Sequence, residues 1–197
     1  AASLGWLGLI LQYTDSPMPL YRAISDLAWQ TSTDFLLVAI PMFVMMGEIL
    51  LRAGITERMY DSIVKWLGWL PGGLMHSNIG SSALFAATSG SSVATAATIG
   101  TVALPQIKKR GYNESLFLGT VAAGGTLGIL IPPSINLILY GLLTNTSVPE
   151  LYLAGFLPGF LLALLFMSTV IIACLLNPKW GGEKLRHTWL ERLGALP

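Results

Sequence analysis

Two clusters of glycine and hydroxyl residues are the part of this sequence whose residue types could bind an ion. The first is Ser89-Gly90-Ser91-Ser92, and the second is Gly124-Gly125-Thr126-Leu127-Gly128, followed by Pro132-Pro133-Ser134. A helix that breaks at such a cluster leaves backbone carbonyls free, and hydroxyl groups beside them complete a cage of neutral oxygens suited to Na⁺. The candidate Na⁺ ligands are Ser89, Gly90, Ser91, Ser92, Gly125, Thr126 and Gly128.

The alternative to an ion site is that the small residues only allow helices to pack closely. We favour this alternative for 94–98, and we favour function for the polar cluster and the Pro-Pro link taken together. Asn136 could contact a substrate or satisfy backbone groups freed by the break, and both readings stay open. Glu48 lies four residues before Arg52, a spacing that favours an ion pair at the membrane surface over a role inside the membrane.

The elements that carry these clusters must be membrane helices. Of the 197 residues, 53% are hydrophobic and 11% are charged, with a mean hydropathy of +0.66, whereas soluble domains carry about 25% charged residues. No basic stripe interleaved with aromatic residues indicates nucleic-acid binding, and the sequence shows no motif of an intramembrane enzyme. The single cysteine, Cys174, excludes an intrachain disulfide and is expected in the core. We therefore predict an all-α polytopic membrane protein.

Three segments are apolar enough to cross a bilayer. They are 35–51, 112–145 and 151–176, and residues 4–13 are expected to be the end of a truncated fourth span. A continuous helix over 112–145 would be about 50 Å long, against a hydrocarbon core of about 30 Å. We therefore expect a discontinuous transmembrane helix, with an unwound link over 124–134.

The basic residues predict the topology. All 11 except Arg22 fall into three patches, which the positive-inside rule places in the cytoplasm. The apolar stretch 74–104 lies between two patches and must cross the membrane an even number of times, but two full spans need about 40 residues. We therefore expect a re-entrant helical hairpin with its tip at 88–92 near the bilayer midplane. The amphipathic stretch 56–70 is expected to form a helix at the cytoplasmic surface.

Three strings spread along the chain carry a resemblance to a known family. They are Ile40-Pro41-Met42-Phe43 through Met46-Gly47-Glu48, then Ser89 through Ala96, and Gly124 through Ser134. By these strings the chain resembles the large membrane subunit of TRAP (tripartite ATP-independent periplasmic) transporters. The resemblance implies half of an ion-transporter-like inverted repeat. Residues 1–73 would be scaffold-like, 74–145 transport-like, and 146–197 a transmembrane helix with a basic tail leading to a second repeat that this sequence lacks.

The resemblance also implies sodium-coupled import of an organic acid across the bacterial inner membrane. Na⁺ would be the coupling ion, and the partners would be a small membrane subunit, a periplasmic substrate-binding protein, the carboxylate substrate and the lipid bilayer. The two breaks would form the first sodium site and half of the substrate pocket. The candidate substrate contacts are Ser92, Thr95, Pro133, Ser134 and Asn136. The alternative is a single-component sodium/carboxylate symporter of related architecture.

Overall fold

The structure is a computed structural model that describes residues 20–182 together with 6, 7, 10, 191, 192 and 194. The expected truncated span over 4–13, apart from residues 6, 7 and 10, lies outside the described residues, as do Lys184 and Arg186 of the basic tail.

In the described part of the chain the structure contains helices and no strand. The helices are α1 (Leu20–Ser32), α2 (Phe35–Arg52), α3 (Ile55–Leu67), α4 (Leu74–Ser89), α5 (Ser92–Arg110), α6 (Glu114–Leu130), α7 (Ile135–Thr144) and α8 (Val148–Leu176), and a 3-10 turn (Pro178–Trp180) follows α8. Three segments are long and apolar enough to span a membrane: α2, the segment Glu114–Thr144 that contains α6 and α7, and α8. The predicted helical membrane fold and its three spans are confirmed.

The chain divides into two compact units, residues 1–39 and 40–197. In the first unit α1 ends at Ser32, and Oγ1 of the next residue, Thr33, donates a hydrogen bond of 2.8 Å to the carbonyl of Trp29. The carboxylate of Asp34 accepts a hydrogen bond of 2.8 Å from the amide of Leu36. Asp34 therefore caps the start of α2, which satisfies an amide that has no partner within the helix.

In the second unit α4 is the central helix, and α3, α5, α6 and α8 all pack against it. Its apolar side chains are buried on more than one side, as expected of a helix enclosed by neighbours. The core contains Met75, Ile79, Phe85, Ile99, Phe117 and Leu127, which are almost fully buried. Cys174 also lies in this core, as predicted.

A buried chain of hydrogen bonds joins three of these helices. The hydroxyl of Tyr60 in α3 donates to Oδ1 of Asn78 in α4 at 2.8 Å, and Nδ2 of Asn78 donates to Oγ1 of Thr120 in α6 at 3.0 Å. Burial raises the pKa of Tyr60 above its ordinary value, and the neighbouring Tyr112 and Asp61 raise it further. The division of the chain at residue 73 stays a prediction. The hydrogen bond between Tyr60 and Asn78 joins α3 to α4, the helix that follows the proposed boundary.

The long third segment breaks where the prolines stand, but the break is shorter than predicted. Helix α6 continues through Leu130, so the unwound link covers 131–134 rather than 124–134. Ile131, the residue after the helix, has an extended ψ of 121°, because a residue that precedes proline is driven out of the helical region. Pro132 and Pro133 then remove two backbone donors.

Glycines 124 and 125 remain helical because neighbouring helices cover them. A Cβ atom at Gly124 would lie 2.5 Å from Oγ of Ser82 in α4, and one at Gly125 would lie 2.7 Å from the Cβ atom of Ala96 in α5. These glycines therefore permit close helix packing, which offsets their poor helix propensity of about 1 kcal/mol each. The interpretation of 124–128 as an unwound segment was wrong for this reason.

Helices α4 and α5 form a hairpin with its turn at the first candidate cluster. Gly90 terminates α4 in the left-handed conformation, with φ +60°, and Ser91 precedes the first turn of α5. The arms contain 16 and 19 residues, or about 24 and 28 Å at 1.5 Å per residue. Both are shorter than a hydrocarbon core of about 30 Å.

Candidate functional site

The two helix breaks meet in the structure. The amide of Ile135, at the start of α7, donates a hydrogen bond of 3.3 Å to the carbonyl of Gly90 at the hairpin turn. A Cβ atom at Gly90 would lie 2.8 Å from the carbonyl oxygen of Pro133. The predicted tip and the predicted link are therefore in direct backbone contact.

Three neutral oxygens lie together at the hairpin tip. Oγ of Ser89 lies 3.0 Å from Oγ1 of Thr95, Oγ1 of Thr95 donates to the carbonyl oxygen of Ser91 at 2.7 Å, and Oγ of Ser89 lies 3.5 Å from that carbonyl oxygen. Ser89 and Thr95 are 3% and 0% exposed, so the hydroxyls are shielded from solvent. We call these three atoms the oxygen triangle. Hard neutral oxygens of this type are the kind of ligand that suits a cation such as Na⁺.

The side chain of Ser91 has a structural role. Its Oγ accepts a hydrogen bond of 3.3 Å from the amide of Ala94, so it is the N-cap of α5. Such caps typically stabilise a helix by about 1 kcal/mol relative to alanine. The sequence indicated a hydroxyl ligand at this position, and the structure adds the reason why the chain needs serine there even without an ion.

Helix α6 lies against the tip through its glycines. A Cβ atom at Gly128 would lie 2.8 Å from the carbonyl oxygen of Ser91, and one at Gly125 would lie 3.2 Å from that of Ser92. Any larger residue at Gly128 would push α6 away from the tip. The structure thus brings together six of the seven candidate ligands predicted from the sequence, four at the hairpin tip and two in α6.

Thr126 is not part of this contact. It lies within α6, it is exposed, and its Oγ1 donates to the carbonyl of Ala123 at 2.7 Å. Together with Ser92 and Gly125 it lines an open groove between α5 and α6. The reason for choosing Thr126, that it lies in a helix break, does not hold because the break begins after Leu130.

The predicted substrate contacts are divided between the surface and the interior. Asn136 is exposed in the first turn of α7, and Ser92 and Pro133 are half-buried. Ser134 is fully buried, and its Oγ donates to the carbonyl of Ile129 at 2.6 Å. Ser134 therefore satisfies a carbonyl that the end of α6 leaves without a helical partner.

A small cavity on the other side of the tip connects it to α2. The cavity has a volume of about 150 Å³ and is lined by Ser89, Ser91, Thr98 and Glu48, among others. Oε1 of Glu48 lies 2.7 Å from Nε of Arg52, which confirms the ion pair predicted from their spacing. The two side chains are 52% and 80% exposed, so the pair contributes at most about 1 kcal/mol to stability.

Two contacts at or near the site were not found from the sequence. Gly47 is the buried residue of α2, and a Cβ atom there would lie 3.3 Å from Cα of Ser89. The other is the chain of hydrogen bonds through Asn78. Thr120 is a polar residue in an otherwise apolar segment, and this was the available signal for a buried polar partner. Asn78 lies among other polar residues, such as Ser77 and Ser81, so the sequence did not single it out.

Comparison with known proteins gives a consistent result. The family model described as "Tripartite ATP-independent periplasmic transporter, DctM component" matches residues 1–189. The C4-dicarboxylate TRAP transporter large permease protein DctM of Pseudomonas aeruginosa is 38% identical over 170 residues, which are 86% of this chain and 40% of that protein. The sialic acid TRAP transporter permease protein SiaT of Haemophilus influenzae is 33% identical over 84% of this chain and 27% of its own length.

A third relative is named for a different substrate. The ectoine TRAP transporter large permease protein TeaC of Halomonas elongata is 32% identical over 81% of this chain and 37% of its own length. The chain thus spans 27–40% of the length of these three relatives. Such permeases are transporters rather than enzymes, as the sequence predicted. The chain belongs to the DctM family, the large permease component of tripartite ATP-independent periplasmic transporters.

Proposed function

We propose that this chain forms part of a sodium-coupled importer of an organic acid in the bacterial inner membrane. It would work with a periplasmic substrate-binding protein and a small membrane subunit. The family membership supports the transport function, and the meeting of two helix breaks at Gly90 and Ile135 carries the proposal of an ion site. The relatives' names include C4-dicarboxylate and sialic acid, which supports an organic acid as the substrate class.

We also propose that the α4–α5 hairpin re-enters the membrane from the side of its basic ends. Helix α8 supports this, because it is a candidate membrane span and its contacts show how far along its axis the link and the start of the hairpin lie. A Cβ atom at Gly159 would lie 3.0 Å from Ile131 in the link, whereas one at Gly72, just before the hairpin, would lie 3.3 Å from Sγ of Cys174. Gly159, which contacts the link, is therefore about 22 Å along α8 from Cys174, which contacts the start of the hairpin. Gly159 is about 16 Å from Val148, where α8 begins. The tip, which touches the link, would lie well inside the bilayer.

The oxygen triangle is the proposed centre of the Na⁺ site. Non-helical backbone at such depth is tolerated where it is buried in protein or lines a cavity, and neutral oxygens bind a monovalent cation there without a buried carboxylate. Thr95, which the sequence placed among the substrate contacts, is reassigned to the ion because its hydroxyl belongs to the triangle. Gly128 and Gly90 let the backbone of the two breaks approach closely.

The substrate carboxylate would lie at the start of α7. The first amides of a helix have no partners within the helix and attract anions. Asn136 is exposed in this turn and Ser92 is half-buried across the contact, so both side chains could reach a substrate. Pro133 would shape the wall of the pocket, and Ser134 would position it through its bond to Ile129.

The test is uptake of candidate organic acids by the complete transporter in proteoliposomes under an inward sodium gradient. The proposal predicts uptake that requires both sodium and the binding protein. Uptake that needs sodium but no binding protein would favour the single-component symporter. Ser91→Gly is the control variant: it removes the hydroxyl that caps α5 but keeps the carbonyl oxygen of the triangle, and glycine retains most of the N-cap stability, so sodium-dependent uptake should persist. Uptake that proceeds at full rate without a sodium gradient would contradict the proposal.

A further inference from the structure

Three segments of the chain are fastened together at the end of the bundle opposite the start of α8. The hydroxyl of Tyr112 accepts a hydrogen bond of 3.1 Å from the amide of Leu74. The amide of Asn113 donates to the carbonyl of Trp180 at 3.3 Å, and an isolated antiparallel bridge pairs Tyr112 with Gly181. The beginning of α4, the loop between α5 and α6 and the turn after α8 therefore form one fixed surface.

This surface presents a concentration of positive charge. Its cations are Lys108, Lys109 and Arg110 in the last turn of α5 and Lys179 in the 3-10 turn, and we call these four residues the basic platform. Lys108, Lys109 and Lys179 are exposed. Two acids are nearest to these cations in sequence: Glu114 in the first turn of α6, four residues after Arg110, and Glu183, four residues after Lys179.

Among the residues that the structure describes, no platform cation forms an ion pair. Over residues 20–182 the ion pair found is that between Arg52 and Glu48, which involves no platform residue. Arg110 donates instead to the amide oxygen of Gln106 at 3.2 Å. The four cations outnumber Glu114 and Glu183, the acids nearest to them in sequence, and so leave a positive patch that attracts an anionic surface.

Two exposed tryptophan side chains lie at the same end of the bundle as the basic platform. Trp69 precedes the loop that leads into α4 and is 57% exposed, and Trp180 follows Lys179 directly and is 39% exposed. Exposed tryptophans collect where a membrane protein meets the headgroup region, because one end of the indole ring is apolar and the other can donate a hydrogen bond. Positive charge and exposed indole rings thus meet at one level of the bundle.

We propose that the basic platform binds the headgroups of anionic phospholipids in the adjoining leaflet. Each lysine or arginine near an anionic surface strengthens its attraction about fivefold, and the fixed geometry of the loops holds the four cations in place for a headgroup phosphate. Lys108, Lys109 and Arg110 also lie in the last turn of α5, where they complement the helix dipole. That effect is equal in neutral and in anionic lipid, so lipid composition separates the two roles.

The experiment compares lipid retention by the full-length transporter. The purified protein is equilibrated with equal amounts of phosphatidylglycerol and phosphatidylcholine, and the bound lipids are counted by native mass spectrometry. The proposal predicts that K108Q/K109Q/K179Q lowers the ratio of retained phosphatidylglycerol to phosphatidylcholine about tenfold or more. The triple substitution of the same lysines by arginine should keep the parental ratio, as should R52Q, which removes a cation that is already paired.

An unchanged ratio in K108Q/K109Q/K179Q would overturn the proposal, whether the variant keeps both lipids or loses them in equal proportion. Melting in phosphatidylcholine alone shows whether the triple variant is folded. K179Q alone is the second variant, because Lys179 lies outside α5 and its removal leaves the end of that helix unaltered. A decrease of about fivefold is expected there.

Discussion

The amide of Ile135 donates a hydrogen bond to the carbonyl of Gly90, and this single contact joins the hairpin turn to the break in the long third segment. The two residues are far apart in the sequence, and each begins or ends a helix at its own break. The contact holds the link against the hairpin turn that carries the oxygens of Ser89, Ser91 and Thr95. The proposed ion and substrate sites both depend on it.

Gly90→Ala should displace the tip from the link. The new Cβ atom would lie 2.8 Å from the carbonyl oxygen of Pro133, and the residue would also be strained at φ +60°. We expect a loss of more than about 2 kcal/mol of stability, measured by thermal unfolding of the complete transporter in detergent. Gly54→Ala is the matched control, since Gly54 has φ +70° with nothing within 4 Å of its Cβ position. Equal losses in the two variants would show that backbone strain alone is responsible.

Gly128→Ala should separate α6 from the hairpin tip. Its Cβ atom would lie 2.8 Å from the carbonyl oxygen of Ser91, so overpacking should cost about 1–3 kcal/mol and weaken sodium binding. Gly119→Ala, in the same helix with nothing within 4 Å, should instead gain up to about 1 kcal/mol from helix propensity. Thermal unfolding with and without sodium distinguishes the variants. A stabilised Gly128→Ala would contradict the packing described here.

Asn78→Ala should be more damaging than Tyr60→Phe. Alanine at 78 removes two hydrogen bonds and leaves the buried hydroxyl of Tyr60 without its acceptor, at about 1–3 kcal/mol, while the hydroxyl of Thr120 still donates to the carbonyl of Phe117. Tyr60→Phe removes one hydrogen bond. The pKa of Tyr60 is raised in the folded state, so its contribution to stability is full below about pH 10 and declines above it. Unfolding of the parent should therefore become easier above that pH, and less so in Tyr60→Phe. Identical pH profiles would show that Tyr60 does not titrate as described.

The topology predicts which exposed positions a reagent can reach from the periplasm. Lys109 and Ser147 are both exposed in the structure, so a cysteine at either position is sterically accessible. In intact cells an impermeant thiol reagent should label Ser147→Cys and not Lys109→Cys, because the basic patch is expected in the cytoplasm. Permeabilised cells are the control and should show labelling at both positions. Labelling of Lys109→Cys from outside would mean that the hairpin does not re-enter as proposed.

Patterns read from the sequence predicted the spans, the ion pair of Glu48 with Arg52 and the positions of both clusters. These features depend on hydropathy, spacing and local backbone chemistry, which act over a few residues. The extent of the second break was wrong because Gly124 is kept helical by Ser82 of another helix. The contact of Gly47 with the hairpin likewise depends on tertiary packing, which local propensity does not contain.

Sodium binding by Thr95→Val tests the account most directly. Valine retains the branched shape of threonine but removes the hydroxyl from the oxygen triangle, while Thr101→Val removes an exposed hydroxyl that bonds to Thr98 within the same helix. Calorimetric titration of the complete transporter with Na⁺ measures the affinity of each variant. Loss of one oxygen ligand, at about 1–3 kcal/mol, should weaken binding about 5- to 150-fold in Thr95→Val and leave Thr101→Val at the parental affinity. Parental affinity in a folded Thr95→Val would contradict the placement of the ion at the hairpin tip.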